Sequence, residues 1–343
     1  MPDRARSDRP ESRRPLLDRA RALIARGHPE AALELARQAI ARNPADTLVR
    51  AIAHHAFSDG IAGFHADMLH DAARTRVYAE AIARHAPGRR VLDIGTGSAL
   101  LAMMAARTGA ERVYACEADP RLAMTAREIV AANGLSDRIV ILPSHSARLK
   151  AADLDGGVDL VLSELFSQDL LGEGLLPTLA DARRRLCLPG AIFLPDTASV
   201  RVALADCGQG GGTIDAVAGF DLAPFNRHVP AHEGVRQGRQ DVVLRSEPAD
   251  LFAFDLAGPI AVEATARCPM PSRGGRVTGV IQWIRFETAP GLAYENAPAP
   301  GHESSHWVML HHRLPQPVMT APGDCLTVHG WYAGETLLVW CGA

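Results

Sequence analysis

Two glutamates, Glu164 and Glu173, bracket a short apolar turn in the segment Ser163-Glu164-Leu165-Phe166-Ser167-Gln168-Asp169-Leu170-Leu171-Gly172-Glu173. The segment follows the hydrophobic run Val158-Asp159-Leu160-Val161-Leu162, which predicts a buried parallel strand. In an open α/β sheet, ligands sit outside the carboxyl ends of the strands. A loop there with two glutamates and Asp169 forms an acidic mouth suited to a cation. An isolated acidic pair more often caps a helix on a solvated turn; the residues upstream change that reading.

Upstream, Val91-Leu92-Asp93-Ile94-Gly95-Thr96-Gly97-Ser98-Ala99-Leu100 reads as a strand, a glycine turn and the start of a helix over Leu101–Arg107. Glycine allows positive φ and close approach of backbone to a ligand. A second strand, Val113-Tyr114-Ala115-Cys116, ends in Glu117, where an acid holds a ribose diol in nucleoside-binding sheets. The dinucleotide fingerprint wants a third glycine, and Leu100 stands in its place. Asp93, Gly95, Gly97 and Glu117 therefore fit S-adenosylmethionine better than a nicotinamide dinucleotide. Before the sheet, a helix is expected from about Ala66 through Tyr78, placing Met68, Asp71, Arg74 and Tyr78 on one face. Its plain reading is a surface ion pair between Asp71 and Arg74, worth a few tenths of a kcal/mol. Its functional reading aims Arg74 at a cofactor carboxylate, with Met68 against the sulfonium or the substrate.

Taken together, these segments resemble the protein arginine methyltransferase family. Gly63 to Arg74, Val91 to Gly97 and the loop from Ser163 to Glu173 occur in family order. Pro189-Gly190 and Pro195 follow, and Ser305-His306-Trp307 resembles the family's Thr-His-Trp loop. The resemblance spans roughly residues 55–343 and is nearest to the divergent, monomethylating branch. There are departures. His55, Ala56 and Asp59 stand where the family usually has aromatic residues, and Ala147 replaces an acid near the adenine. Adenine is then expected to be held by backbone groups and Ser146.

The resemblance implies methyl transfer from S-adenosylmethionine to an arginine of a protein or peptide. That chemistry explains the residue types. A guanidinium is a poor nucleophile, its lone pairs delocalised and its pKa above about 12. Two carboxylates gripping it fix its plane and draw charge away from the attacking nitrogen. Glu164 and Glu173 are the expected clamp, and His306 paired with Asp71 is the expected proton relay. Trp307 offers a flat face for the guanidinium or for packing. Phe166 and Gln168 stand where many dimethylating relatives carry methionine and tyrosine, and Asp169 adds negative charge beside the cleft. These features imply ω-monomethylarginine as product, with a preference for targets near other basic residues. Two further readings stay open: a small-molecule amine methyltransferase and a non-catalytic methyltransferase-like scaffold.

The elements that must position these residues follow from the texture of the chain. Residues 1–15 mix five arginines with acids and lack an apolar stretch, which reads as a disordered tail. Residues 16–47 read as a tetratricopeptide-like helical hairpin. A lone unit of that kind cannot bury both faces, so it packs on the catalytic domain or meets a partner. Residues 48–195 alternate helix and strand, the pattern of a doubly wound, Rossmann-like α/β domain. From 196 to 343, short alternating runs split by Gly and Pro predict an antiparallel, barrel-like domain. Residues 208–232 interrupt it and resemble in position the helical arm through which family members dimerise, which implies a homodimer.

A net charge of −3 argues against nucleic acid as a partner. No apolar run reaches membrane-spanning length. Six cysteines without metal-type spacing suit a reducing cytoplasmic setting. Adjacent histidine pairs lack helical ligand spacing, so no metal is expected.

Overall fold

Strands buried on both faces read as near-continuous apolar runs, and short runs of that kind form the centre of the first, five-stranded sheet. The computed structural model describes residues 14–42, 44–61, 63–208, 214–238, 242–298 and 305–342. Most of the expected tail, and residues 209–213 of the expected arm, lie outside them. The sheet comprises β1 (Arg90–Ile94), β2 (Arg112–Cys116), β3 (Ile139–Leu142), β4 (Val158–Ser163) and β5 (Cys187–Leu194), in the order β3-β2-β1-β4-β5. All its pairings are parallel. The chain first builds outward from β1 to β3, then crosses back to add β4 and β5 on the other side. The direction of winding therefore reverses between β1 and β4, the place where open α/β sheets bind ligands. Pairing of Ile94 with Ser163 sets the glycine turn and the acidic loop side by side.

Helices α1 (Arg14–Ala25), α2 (Pro29–Arg42) and α3 (Thr47–Ser58) precede the sheet, followed by α4 (Phe64–His70) and α5 (Ala72–His85). Helices α6 (Leu100–Arg107), α7 (Pro120–Ala132) and α8 (Leu175–Arg185) connect its strands. The N-terminal hairpin does not stand alone. Ala20, Ala32 and Ala56 of α1, α2 and α3 share a small core. Arg21 pairs with Asp59 at 2.5 Å, and Arg121 on α7 donates to the Asp59 carbonyl at 2.6 Å. An ion pair from Glu30 to Arg127 completes the seam with α7.

The expected single helix from Ala66 to Tyr78 is two. Asp71, at φ −73° and ψ 89°, leaves the helical conformation between α4 and α5, and its side chain accepts from the Arg74 amide at 3.0 Å. An aspartate that caps a helix start in this way competes with continuing the helix before it.

The second domain holds an eight-stranded antiparallel sheet and, separate from it, the two-stranded sheet of Ala216–Val217 and Phe220–Asp221. Strand β6 (Thr197–Asp206) enters from β5. After the two-residue strands β7 (Ala216–Val217) and β8 (Phe220–Asp221) come β9 (His232–Val235), β10 (Val243–Leu244) and β11 (Ala249–Asp255). Strands β12 (Glu263–Ala289), β13 (Leu292–Glu295), β14 (Met309–Ala333) and β15 (Thr336–Gly342) close the chain. β12 and β14 are far longer than the alternating runs at 277–286 and 307–311 suggest. Their extensions carry Pro269, Pro271, Pro315, Pro317 and Pro322, which argue against a strand in sequence. The ladder tolerates them with register shifts at Pro271/Arg273 and Val277/Gly279. Residues 214–228 correct the expected helical arm: they form the β7–β8 hairpin and a 3₁₀ turn, tied together by the Asn226 amide bonding both the N–H and the carbonyl of Ile214.

Candidate active site

Over the switch point lies an open cavity of about 290 Å³, walled by the glycine turn, the β2 end, the acidic loop and α4. Gly95 and Gly97 have φ of +71° and +52°, and a Cβ on Gly95 would lie 2.8 Å from Leu165 Cδ2. Glycine there lets Leu165 of the acidic loop pack directly on the turn. Asp93 lines the cavity, but its Oδ2 accepts from Thr96 Oγ1 at 2.5 Å and the Ala102 amide at 3.2 Å, stapling the turn to α6. Burial raises its carboxyl to about 6. Glu117 accepts from the Gly97 amide at 3.0 Å and the Asp119 amide at 2.9 Å, so its carboxylate is fixed at the cavity edge. Ser146, buried in a 3₁₀ turn after β3, closes the far end, and Met68 lines the near wall.

Arg74, one turn into α5, is 3 % exposed and sends Nη2 to Glu164 Oε2 at 2.9 Å. Its Nε and Nη1 are buried without a hydrogen-bond partner. Arg74 and Glu164, expected in separate roles, are paired across the domain. Burial lifts the Glu164 carboxyl to about 7, since the attraction of Arg74 does not offset lost hydration and Glu173 adds repulsion. Glu173 is also raised, by burial and by Asp169. Both glutamates line the cavity.

A second compartment of about 340 Å³ shares Phe64, Phe166, Glu173 and His306 with the first and opens past Asp169 and His232. Asp169 Oδ1 accepts from the Leu171 and Gly172 amides at 3.1 and 2.9 Å, holding the acidic loop in its turn.

The structure brings His306 from the second domain to Asp71, with Nδ1 3.3 Å from Oδ2 and both side chains buried. Burial works to raise Asp71, yet hydrogen bonds from His306, the Arg74 amide and Tyr294 hold it below the usual carboxylate range. Burial lowers His306 below its ordinary value against the pull of Asp71. Trp307 is mostly covered. Its indole is 3 % exposed, ringed by Phe166, Phe286 and Tyr294, and Nε1 donates to the Phe166 carbonyl at 2.7 Å. It braces the acidic loop through that bond and also forms part of the wall of the second compartment. Phe166 is likewise buried, stacked on Phe286 at 5.0 Å. The sequence reading missed Tyr294, whose hydroxyl lies 2.7 Å from Asp71 Oδ2. Nothing in the alternation of β13 marks it apart from an ordinary core residue.

Among the described residues no group of three or more His, Cys, Asp or Glu is placed to hold a metal, and no helix is long and apolar enough to cross a membrane.

A family model described as ribosomal protein L11 methyltransferase (PrmA) matches residues 75–172, the cofactor half of the first domain. An arginine N(omega)-methyltransferase of Streptomyces achromogenes subsp. streptozoticus is 36 % identical over 282 residues, covering 78 % of this chain and 76 % of that protein. The chain belongs to the protein arginine N-methyltransferase family. A protein arginine N-methyltransferase 7 of Oryza sativa subsp. indica is 32 % identical over 267 residues, 70 % of this chain but 37 % of its own length. The structure of a Trypanosoma brucei PRMT1 enzyme–prozyme heterotetrameric complex with AdoHcy superposes with a TM-score of 0.70 at 26 % identity, covering 81 % of this chain and 91 % of that one. Arabidopsis thaliana protein arginine methyltransferase 10 shares the fold, with a TM-score of 0.66 at 19 % identity over 80 % and 96 % of the two chains.

As an arginine methyltransferase the chain uses S-adenosylmethionine, and the cavity fits that group. The two orphaned buried nitrogens of Arg74 suit a carboxylate, and Gly95, at φ +71°, leaves the turn bare where a Cβ would have to displace Leu165.

Proposed function

We propose that this enzyme transfers a single methyl group to a terminal nitrogen of an arginine guanidinium carried by a protein or peptide. The observation that carries this reading is the pair Glu164 and Glu173 on one braced loop, both facing the cavity where the cofactor fits. Bound S-adenosylmethionine supplies an electrophilic methyl on a sulfonium. Arg74 would hold its carboxylate, Glu117 its ribose, Ser146 its adenine end, and Met68 would lie near the sulfonium. Glu164 and Glu173 would grip the guanidinium bidentately, leaving one nitrogen in line at about 3–3.5 Å from the methyl carbon. Asp71 and His306 would take the proton released.

Three features support monomethylation on a peptide. Phe166 is packed rigidly against Phe286, which leaves little give beside the clamp for a methyl already added. Asp169 adds charge that favours the unmodified, more strongly hydrogen-bonding cation. Among the described residues no Lys or Arg lines the outer compartment, where a free amino acid would place its carboxylate. A second reading, free arginine as acceptor, is favoured by one observation: the Streptomyces relative is named for arginine itself.

One experiment separates these outcomes. The enzyme is incubated at saturating cofactor with an Arg-Gly-rich peptide or with free L-arginine, and products are followed by mass spectrometry. Monomethylated peptide that does not progress supports the proposal, and Asp169→Asn should weaken the preference for basic flanks. Dimethylarginine accumulating with time would refute the product assignment, and turnover of free arginine alone would establish the second reading.

The enzyme is further proposed to be a cytoplasmic homodimer. Six free cysteines support a reducing setting. Phe220 and Phe225, 71 % and 58 % exposed on the segment 214–228, support a self-association surface, testable by light scattering with both changed to serine.

A further inference from the structure

We infer that Tyr294 is a positioning residue for the reaction, holding Asp71 and His306 in the geometry that sets when His306 can accept a proton. The inference rests on the Asp71–His306 reading above and goes beyond it. Tyr294 stands on β13, outside every motif legible in the sequence. Its hydroxyl lies 2.7 Å from Asp71 Oδ2 and 2.6 Å from Ser305 Oγ, and its ring stacks on Phe286 with centroids 5.2 Å apart.

The geometry explains what the hydroxyl does. Asp71 Oδ1 is engaged by the Arg74 amide at 3.0 Å, so Oδ2 alone faces the second domain. That oxygen accepts from Tyr294 and also meets His306 Nδ1 at 3.3 Å. Tyr294 therefore shares with His306 the oxygen that would stabilise an imidazolium. Its contact with Ser305 also ties the residue preceding His306 to the cap of α5. Burial pushes the Tyr294 hydroxyl far above its ordinary value, so it remains a donor across the working pH range.

The charged groups facing His306 are Asp71, at the start of α5, Arg74 on α5 and Asp67 on α4; Glu164 and Glu173 share its cavity wall. None of these changes when the hydroxyl is removed. Without it, Asp71 Oδ2 has one partner instead of two. Its charge is then concentrated on His306, and the imidazolium is favoured. Because catalysis needs the neutral ring, the acidic limb of kcat should move to higher pH.

The test compares Tyr294→Phe with parent enzyme, using S-adenosylmethionine and whichever acceptor the parent methylates, the Arg-Gly-rich peptide or L-arginine. The acidic limb should rise by about half a pH unit or more, and kcat at neutral pH should fall about three- to tenfold, as for one lost hydrogen bond. KM for cofactor and acceptor should stay within about twofold, because the hydroxyl touches neither. Site-specific 3-fluorotyrosine at position 294, an isosteric and stronger donor, should move the limb the other way, and serves if the phenylalanine variant does not fold. A limb unmoved in the variant that folds, or a raised KM with the limb in place, overturns the inference. His306→Gln separates the two levels. If it keeps the parent's rate and limb, the relay reading itself falls. If it abolishes the limb while the Tyr294 replacements leave it fixed, only the role of Tyr294 falls.

Discussion

Replacing Glu164 by glutamine should separate stability from activity in this enzyme, and the structure sets the sign. The Glu164 side chain is 8 % exposed, and its pKa stands at about 7 against 4.5 for the ordinary group. Burial dominates, with Glu173 adding repulsion, and Arg74 offsets only part. A carboxyl whose pKa is raised on folding binds protons more tightly in the native state than in the unfolded one. Its contribution therefore disfavours folding as pH rises: absent below about 4.5, growing between 4.5 and 7, and complete above 7. The difference of about 2.5 units corresponds to ~3 kcal/mol at pH 8, taken as an upper bound. Glutamine mimics the neutral carboxyl and so removes this term, in which the attraction of Arg74 is already included. Relative to parent, the variant should then gain stability between pH 5 and pH 8, ending level with the parent or above it. Turnover should nonetheless fall by roughly a hundredfold or more, because the charge that orients the guanidinium is gone. Denaturant unfolding of the cofactor-free protein at the two pH values measures the first effect, and initial rates at saturating substrates measure the second. A variant that becomes relatively less stable on going from pH 5 to pH 8 would show that Arg74 outweighs burial. Near-parental turnover would remove Glu164 from the clamp.

Three more outcomes follow from the same geometry. Glu117→Ala should weaken S-adenosylmethionine binding by roughly 1–3 kcal/mol by titration calorimetry, since charge-assisted hydrogen bonds to the ribose are lost; unchanged affinity in a folded variant would misplace the nucleoside pocket. Gly95→Ala must hold an alanine at φ +71° with its Cβ 2.8 Å from Leu165 Cδ2. About 1–2 kcal/mol of stability should be lost, along with a several-fold rise in the cofactor's KM, and full activity at parental stability would show the loops to be independent. Trp307→Phe leaves the Phe166 carbonyl without its 2.7 Å donor; a loss of about 1–3 kcal/mol is expected in thermal or denaturant unfolding, with kcat lowered and cofactor affinity retained. Selective loss of acceptor binding instead would make Trp307 a substrate contact rather than a brace.

Much of the cofactor half was written in local sequence. An apolar run of about five residues between turn signals can only be a buried strand or a fragment of helix, and glycines at 95 and 97 mark where positive φ is needed. Local chemistry therefore determined β1, β2, β4, the glycine turn and the acidic loop, and with them Glu117, Glu164 and Glu173 as cavity residues. The break between α4 and α5 was also local in cause, but an aspartate in a helical pattern reads as readily as a surface residue.

What the sequence left undecided depends on contacts between distant residues. Arg74 and Glu164 are 90 positions apart, and Asp71 and His306 are 235 apart. No spacing rule links them, because strand order and domain packing decide which side chains meet. Strands β12 and β14 run through prolines only because each supplies the other's ladder over most of its length. Trp307 and Tyr294 show the limit most sharply. An aromatic residue near a site can face the ligand or brace the wall behind it, and only the packing of Phe166, Phe286 and the acidic loop determines which face is already covered.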